Sequence, residues 1–230
     1  TAFPLAVVGS IKTMKILRLF GTWLRLPPSR RRQWLGDLWG RLFTRLIHAR
    51  RLKACGRGSI VQRPLFWTPE FIELGQKVFI WPGVRIEAVD IYGNERYGPC
   101  IRIGDRCSFQ QNCHVTFAST LEIGEGTAIM YGVLVTDIDH EYTEIGVPAL
   151  QQAIDVKRTR IGDNCFIGAG AKIQAGTRLG NHCIVGTNAV VRGTFPDYCV
   201  IAGVPARILK RREPETGTWR KTDAEGRFSV

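Results

Sequence analysis

The chain has 230 residues, of which 44% are hydrophobic and 23% charged, a balance typical of a globular protein with a substantial core. Its formal net charge is +12, but the excess lies in residues 1–57, which contain 13 Lys and Arg and a single acid, Asp37. Residues 58–230 are electrically balanced, which argues against a nucleic-acid groove along the main body and so against a nucleic-acid partner. The seven cysteines, an odd number, argue against a secreted disulfide framework. No stretch approaches the roughly 20 apolar residues of a membrane-spanning helix, and a cytoplasmic location is the default expectation.

Residues 1–57 are predicted to form a basic amphipathic helical segment. The helix is expected to begin after Pro27 and Pro28, with Ser29 as its N-cap. Its apolar residues follow the i, i+1, i+4, i+5 spacing of one helix face: Trp34, Leu35, Leu38, Trp39, Leu42, Phe43, Leu46 and Ile47. Its charge comes from Arg30, Arg31, Arg32, Arg41, Arg45, Arg50 and Arg51. A second, shorter amphipathic stretch, MKILRLFGTWLRL, precedes it.

Two interpretations of this segment stay open. In the first, residues 14–53 contact an anionic membrane surface, which would place the protein at the inner face of the membrane beside a lipid-linked acceptor. In the second, the apolar stripe packs on the rest of the chain or on a neighbouring subunit. The two tryptophans favour the second interpretation, because tryptophan usually has a protein partner when one is near.

Residues 58–200 repeat with a period of six. Aliphatic and aromatic residues keep this phase in one long run, Ile161, Ile167, Ile173, Leu179, Val185 and Val191, and in the shorter runs Leu74-Ile80-Ile86, Ile103-Phe109-Val115 and Ile123-Ile129-Val135. A period of six fits neither an α-helix nor an alternating strand, and it is typical of a parallel β-helix. Three such hexads would form a triangular coil of about 18 residues, and successive coils would stack about 4.8 Å apart.

Two further columns of the repeat support this fold. The fourth position is mostly Gly or Asn, the residues that tolerate positive φ, which predicts a corner once per hexad: Gly83, Asn112, Gly126, Gly132, Asn164, Gly170, Gly176 and Asn188. The fifth position is small and includes Cys107, Cys113, Cys165 and Cys183. These thiols are expected to be buried as small hydrophobic groups, and no metal site is predicted because no pair has zinc-ligand spacing.

The segment IGDNCFIGAGAKIQAGTRLGNHCIVGTNAVV, followed by IAGVPARILK, resembles the hexapeptide-repeat acyltransferases. The stretch DIDHEY and this ending look most like the maltose and galactoside O-acetyltransferases and the bacterial surface-polysaccharide O-acetyltransferases. The resemblance covers residues 58–212. It implies a left-handed parallel β-helix that forms a homotrimer and uses acetyl-CoA as a cosubstrate, without a metal.

The six-residue period is lost between Val135 and Ile161, which are 26 residues apart. We therefore predict that residues 136–160 leave the β-helix as an active-site loop, because long excursions from a rigid scaffold usually carry function. The resemblance implies that His140 is the catalytic histidine. Its imidazole suits the removal of a proton from an attacking hydroxyl group, as a general base. The predicted acceptor contacts in this loop are Asp137, Asp139 and Tyr142.

Two polar residues outside the loop are further candidates. Asn112 matches a substrate-contacting asparagine of the resembled enzymes and could donate to a developing oxyanion, although its place in the corner column explains it equally well. His114 is predicted to face a cleft between subunits and to touch the substrate. His48 and His182 are expected to be inert.

The coenzyme A site is predicted from stacking. Gly168 and Gly186 are 18 residues apart, as are Ala169 and Thr187, so each pair should lie on adjacent coils. Small residues there are expected to leave backbone amides and carbonyls exposed for the pantetheine arm, in the groove between two subunits that the resemblance implies. Further predicted contacts are Arg192, Arg207 and Lys210 to the phosphates, and Pro205 to the adenine.

The predicted organisation is an all-β solenoid preceded by an amphipathic helical segment. Residues 1–57 form the basic segment, residues 58–200 the left-handed β-helix with its loop 136–160, and residues 201–230 a C-terminal tail that is expected to be exposed beyond Lys210. The predicted function is O-acetylation of a sugar hydroxyl of a cell-surface polysaccharide or its precursor.

Three alternatives to this function are weighed. One is an N-acetyltransferase of the same fold, acting on an amino sugar or an antibiotic. Another is a zinc-dependent carbonic anhydrase, which needs three converging histidines where the body offers only His114, His140 and His182. A third is a non-enzymatic scaffold, which would have no reason to interrupt its period.

Overall fold

The computed structural model of the protein describes residues 23–223 and 226–228. Helix α1 spans Pro28–Phe43 and continues through a π-helical turn, Thr44–His48, and a last helical turn, Ala49–Arg51. The prediction of Ser29 as the N-cap is wrong: Ser29 lies inside the helix, and Pro28 takes the first position, where its missing N–H costs no hydrogen bond. Residues 14–22 of the shorter amphipathic stretch lie outside the described part of the chain. In the described part, no helix has the length and apolar character needed to cross a membrane.

The remaining chain contains 26 described strands of two to seven residues, joined by turns and short loops. In chain order they are Ala54–Cys55 (β1), Ile60–Val61 (β2), Phe66–Trp67 (β3), Ile72–Leu74 (β4), Phe79–Ile80 (β5), Arg85–Ala88 (β6), Ile91–Tyr92 (β7), Glu95–Arg96 (β8), Cys100–Ile103 (β9), Ser108–Phe109 (β10), His114–Phe117 (β11), Thr120–Ile123 (β12), Ala128–Ile129 (β13), Leu134–Thr136 (β14), Ile138–His140 (β15), Ile154–Val156 (β16), Arg160–Ile161 (β17), Phe166–Ile167 (β18), Lys172–Ile173 (β19), Arg178–Leu179 (β20), Ile184–Val185 (β21), Val190–Val191 (β22), Thr194–Phe195 (β23), Cys199–Gly203 (β24), Ala206–Arg212 (β25) and Trp219–Lys221 (β26). Short 3₁₀ turns span Pro69–Phe71 and Ala149–Gln151.

Three sheets form the faces of a left-handed parallel β-helix, which confirms the predicted fold. Their strand orders are β1-β4-β9-β12-β17-β20-β23, β2-β5-β10-β13-β18-β21-β24-β25-β26 and β3-β6-β11-β14-β19-β22. Equivalent repeat positions stack in register: Ile129 pairs with Ile167, and Ile167 pairs with Val185. Each large aliphatic residue therefore lies above its counterpart in the next coil, and the stacked residues fill the prism.

The predicted corner and core columns are both present. All eight Gly and Asn residues of the fourth position have positive φ. The fifth-position cysteines Cys107, Cys113, Cys165 and Cys183 are buried, as predicted, and all seven cysteines are free thiols. A small side chain fits there because the corner brings the backbone close to the axis.

Helix α1 packs on the first coil through a narrow face of small and polar residues. Thr44 Oγ1 accepts a 2.7 Å hydrogen bond from the Val61 amide, and Gln62 Nε2 donates to Asp37 Oδ1 at 2.7 Å. Gly40 is buried in this contact, and a Cβ there would lie 2.9 Å from the side chains of Ile60 and Gln62. The β-helix already begins at β1, which pairs in parallel with β4, so its start precedes the predicted boundary at residue 58.

The predicted C-terminal tail, residues 201–230, contains strands that continue the second sheet. Strand β24 turns back into β25, and β26 adds to β25, both antiparallel. Ala206 and Ile208 are buried against the last coil. Because β24 has already continued the second face, the hairpin extends that sheet and covers the end of the core.

Two hairpins leave the prism. Residues 136–160 do so as predicted, and their strands β15 and β16 pair antiparallel. Strands β7 and β8 form a second, shorter hairpin, with Ile91 opposite Arg96. We call these the long arm (residues 137–157) and the short arm (residues 89–99).

Candidate active site

The long arm carries His140 on the last residue of β15. His140 pairs with Ile154 across the hairpin, and the Glu141 amide donates to the Ala153 carbonyl at 3.0 Å. At the base of the arm, the Lys157 amide donates to the Asp137 carbonyl at 2.8 Å. The imidazole is therefore held on a paired strand, while its side chain remains exposed to solvent.

The short arm brings Tyr92 onto this imidazole. The Tyr92 hydroxyl oxygen lies 3.3 Å from His140 Nδ1, and the two rings meet edge to face with centroids 5.6 Å apart. The same hydroxyl donates its one proton to the Leu150 carbonyl at 2.7 Å. The contact with His140 must then be donated by Nδ1–H, so this geometry assigns the tautomer in which Nε2 is unprotonated.

A cavity of about 210 Å³ lies beside His140, between the two arms and the third face of the prism. Its lining residues are Val89, Tyr92, Thr116, Leu134, Thr136, Ile138, His140 and Ile154. Most of this lining is aliphatic, with hydroxyl groups and one imidazole as its polar groups. Such a mixture can exclude water around an acyl group while leaving a base and hydrogen-bonding groups in reach.

Asp137 has a structural role in place of the predicted acceptor contact. It is fully buried, with 0% exposure. Its carboxylate accepts hydrogen bonds from the Ala118 amide at 2.8 Å, the Ser119 amide at 2.9 Å and the Ser119 hydroxyl at 2.7 Å. All these donors belong to the corner between β11 and β12, so Asp137 ties the base of the long arm to the prism.

Asp139 and Arg192 were predicted to contact the acceptor and the coenzyme A phosphates, and the structure pairs them with each other. Arg192 Nη2 donates to the two Asp139 oxygens at 2.6 and 2.7 Å, and Lys157 Nζ donates to the same carboxylate at 3.3 Å. Arg192 Nε also donates to Gln174 at 3.3 Å. These charges brace the long arm against the next coils, and because the ion pair is partly exposed, the predicted ligand contacts of Asp139 and Arg192 stay predictions.

Asn112 and His114 do not line the cavity of His140 within one protomer. Asn112 occupies a corner with φ of 60°, and its amide donates to the Tyr131 hydroxyl at 3.0 Å. His114 Nε2 lies 2.8 Å from the hydroxyl of Thr116, which does line the cavity. Burial, and secondarily Arg85, lowers the pKa of His114, which favours a neutral ring. Their predicted roles stay predictions.

The remaining loop and histidine residues lie apart from this cavity. Tyr142 is 75% exposed on the long arm. His182 stacks on Tyr198 at a corner, and His48 meets Trp67 edge to face at 4.8 Å. Among residues 23–223 and 226–228, no group of three or more His, Cys, Asp or Glu side chains could hold a metal ion.

The predicted ladder of small residues exists, but its glycine amides are already used. Gly168 and Gly186 donate to the carbonyls of Val185 and Ile201, each at 2.8 Å. A Cβ on Gly168 would lie 2.7 Å from the Thr187 amide nitrogen. The glycines therefore let the coils stack closely and form a smooth strip, and they offer a ligand no free N–H of their own.

The strip leads towards two cations near the end of the chain. A Cβ on Gly186 would lie 2.9 Å from Ala202, and Ala202 pairs with Arg207 across β24 and β25. Lys210 pairs with Val200 in the same hairpin, and Pro205 lies exposed in its turn. Arg207 and Lys210 are exposed and form no ion pair within the described part of the chain. Both remain available for phosphate groups, and Ala169 and Thr187 flank the strip that leads to them.

Tyr92 was missed by the sequence analysis. Ile86 and Ile103 are 17 residues apart, which is no multiple of six, and the intervening segment contains the turn-forming pair Gly93-Asn94. This break in phase is the same signal that identified the long arm. The contact between the two arms was beyond the sequence pattern, because it depends on how both hairpins leave the prism.

Residues 158–193 match the family model described as bacterial transferase hexapeptide (six repeats). The match covers 36 of the 230 residues and lies within the β-helix. Two curated relatives of these hexapeptide repeats are a candidate acetyltransferase of Mycobacterium tuberculosis (Rv3034c), 32% identical over 64% of this chain and 47% of the relative, and a candidate lipopolysaccharide biosynthesis O-acetyl transferase of Escherichia coli (WbbJ), 31% identical over 53% of this chain and 65% of the relative. The chain thus spans between about half and two thirds of the length of these relatives.

One solved structure has a similar fold. It is the N-acyltransferase AntD from Bacillus cereus in complex with dTDP and 3-hydroxybutyryl-CoA, with a TM-score of 0.63 and 15% sequence identity over 74% of this chain and 88% of that one. At this level of identity the likeness shows the fold alone.

Proposed function

We propose that this protein transfers an acetyl group from acetyl-CoA to a sugar hydroxyl group of a cell-surface polysaccharide or its precursor. The observation that carries the proposal is the meeting of two arms at one imidazole. A prism that is otherwise continuous is interrupted twice, and both interruptions end at His140, through the strand that bears it and through Tyr92. The names of the two curated relatives support acetyl transfer, and that of the Escherichia coli relative supports an O-linked product.

His140 acts as the general base in this proposal. Acetyl-CoA supplies an acyl carbon activated as a thioester. His140 takes the proton of the acceptor hydroxyl at Nε2 while that oxygen bonds to the acyl carbon, and it returns the proton to the sulfur as the carbon–sulfur bond breaks. Tyr92 holds the tautomer that leaves Nε2 free. No cysteine is needed as a nucleophile, which agrees with the burial of Cys107, Cys113, Cys165 and Cys183.

The described surface fits coenzyme A on one side of the prism. The smooth strip at Gly168 and Gly186 has room for an extended arm, and Arg207 and Lys210 at its end can pair with phosphates. Arg192 pairs with Asp139 at the surface, so its predicted phosphate contact requires exchange of this partly exposed ion pair. A homotrimer, with the cofactor in a groove between neighbours, stays part of the proposal and gives Asn112 and His114 their place in it.

Acetyl transfer can be tested with the purified full chain and matched acceptors. Release of free coenzyme A from acetyl-CoA is followed by chromatography with nucleotide sugars, free saccharides and lipid-linked glycans, each offered with its amino-sugar counterpart. We expect release with hydroxyl-only acceptors and an alkali-labile acetyl ester as the product. Release confined to amino acceptors would replace the proposal with N-acetylation, and failure to bind coenzyme A would refute both.

A further inference from the structure

The leucines in the apolar stripe of helix α1 do not pack on the β-helix. The helix contacts the first coil through Asp37, Gly40 and Thr44. Leu42 lies two residues from both Gly40 and Thr44, which is a rotation of about 200° around the helix axis. The face opposite the contact carries exposed leucines, Leu35, Leu38 and Leu42, followed by Leu46 and Ile47 in the π-helical turn. Trp39 and Phe43 lie to one side of the contact, where they border a cavity of about 540 Å³ between the helix and the first coil. Within one protomer, the leucines of the stripe therefore do not dock on the rest of the chain.

A groove lined by arginines adjoins this apolar face. It has a volume of about 650 Å³ and lies between the helical segment and the first coil. Its cationic lining residues are Arg41, Arg45 and Arg57. None of these three guanidinium groups has an ion-pair partner in the described ranges 23–223 and 226–228. The one acid of residues 1–57, Asp37, is turned towards Gln62, so the segment has no internal compensation for its charge.

We propose that helix α1 seats the protein on an anionic lipid bilayer. Leu35, Leu38 and Leu42 enter the headgroup region, while Arg41, Arg45 and Arg57 lie against lipid phosphates. An apolar face bordered by unpaired arginines is the pattern of helices that lie in a membrane interface. A second copy that met this surface with its own helix α1 would add the same unpaired arginines, whereas anionic lipid neutralises them, and this charge complementarity favours lipid as the occupant.

Vesicle binding of the full chain tests the proposal. Phosphatidylcholine vesicles with and without phosphatidylglycerol are sedimented with the protein at low and high salt. We expect binding that requires phosphatidylglycerol and weakens as salt screens the arginines. Leu38→Glu, at a side chain that is 50% exposed, should weaken binding at least about tenfold, because it removes a buried apolar group and adds a negative charge.

Leu209→Glu is the matched control. Leu209 is 48% exposed, but it lies in β25, far along the chain from α1, and this variant should bind as the unaltered protein does. A second pair of variants tests the charges. Arg41→Gln with Arg45→Gln should weaken binding about fivefold for each charge, whereas Arg178→Gln with Lys221→Gln should leave it unchanged.

Three outcomes would overturn the proposal. The first is equal binding with and without phosphatidylglycerol, or no binding at all. The second is unchanged binding by both Leu38→Glu and the double arginine variant. The third is a lower oligomeric mass of Leu38→Glu by light scattering, which would show that a second copy covers the apolar face. Binding is measured without any acceptor or acetyl-CoA, so the outcome of this test does not depend on whether the proposed acetyl transfer is correct.

Discussion

His140 depends on one neighbouring side chain for its protonation pattern. Tyr92 has a single hydroxyl proton, and the Leu150 carbonyl takes it at 2.7 Å. The Tyr92 oxygen can then only accept from Nδ1–H, and the lone pair of Nε2 remains for the acceptor. The chemistry of the site is thus determined by two hydrogen bonds on exposed arms, each contributed by a different excursion from the prism.

Removal of the imidazole should abolish most of the turnover. His140→Ala is expected to lower kcat by about 10²–10⁴, the usual contribution of a general base. Coenzyme A affinity, measured by calorimetry, should change little, because a general base acts on the acceptor hydroxyl and not on the nucleotide or the pantetheine arm. His182→Asn is the control, since His182 is an exposed corner residue with positive φ that asparagine tolerates. Full activity of His140→Ala would show that another group takes the proton.

Loss of the Tyr92 hydroxyl should affect the rate more than substrate binding. Tyr92→Phe keeps the ring against His140 and removes the acceptor of its Nδ1–H, so we expect kcat to fall about two- to tenfold, the value of one neutral hydrogen bond, with little change in KM. Steady-state kinetics with both substrates measure the two constants. Tyr97→Phe is matched, because Tyr97 lies in the same short arm and its hydroxyl donates to Glu95 at 2.9 Å, away from His140. Equal effects of the two substitutions would contradict a positioning role for Tyr92.

Hydrogen bonds at the base of the long arm fix its position on the prism. Asp137 binds the corner at Ala118 and Ser119, and the Thr159 hydroxyl donates to the Thr136 carbonyl at 2.8 Å on the returning strand. Farther out, Asp139 joins the arm to Arg192. Buried hydrogen bonds therefore fix where the arm leaves, and exposed ion pairs adjust how it lies.

Asp137→Asn should destabilise the fold. An amide has one acceptor oxygen and an NH₂ group, and the latter would face a donor of Ser119, so we expect a loss of about 1–3 kcal/mol in the free energy of unfolding. Asp139→Asn removes a half-exposed ion pair and should cost less than about 1 kcal/mol. Urea unfolding of both variants gives the comparison. A smaller loss for Asp137→Asn than for Asp139→Asn would contradict the anchoring role.

The six-residue period predicted the strands and corners well, because the residues of each hexad determine their own surroundings. The corner residues and the stacked aliphatic residues were identified from the hexads, because a corner needs positive φ and the axis needs bulk. The same pattern could not show which face of α1 meets the prism. That face is selected by Gly40 and Thr44, whose small size admits Ile60 and Gln62, rather than by the apolar stripe.

Site roles were less predictable than elements for a related reason. Asp137, Asp139 and Arg192 are polar residues of the expected types, but their partners come from other coils and from each other. A polar residue near one of the arms can bind a ligand or stabilise the arm itself. Only its contacts in three dimensions distinguish these two roles.

The prism shields its cysteine side chains from solvent. Burial raises the pKa of Cys107 and of Cys113 to about 11 each, well above the roughly 8.5 of a free thiol. Cys55 is half-buried, and burial raises its pKa as well. The folded chain therefore keeps these sulfurs as neutral groups in the core or at its border.

Thiol labelling should report global unfolding. In the native protein at mildly alkaline pH, we expect iodoacetamide to modify Cys55 first and to spare Cys107 and Cys113, whereas unfolding in urea should expose all seven thiols. Mass spectrometry of labelled peptides identifies the sites. Rapid native labelling of Cys107 would contradict the closed core.

High pH should lower the free energy of unfolding through ionisation of Cys107 and Cys113. The folded-state pKa of about 11 lies above the unfolded value of about 8.5, so the folded state retains protons that the unfolded state loses. The stabilisation is complete below pH 8.5 and is lost as the pH rises from about 8.5 towards 11. Urea midpoints measured across this range should fall. A midpoint that stays constant would show that these thiols ionise equally in both states.

The coverings at the two ends of the prism also determine how many coils it has. Stacked strands are a template on which more strands can be added, and nothing within a repeat says where addition should stop. Here the side chain of Thr44 occupies the Val61 amide at one end, and the reversed strands β25 and β26 extend the second face at the other. The second sheet is thus closed at both ends by residues of the same chain. This protects the molecule against pairing with a strand of another chain and against fibre formation.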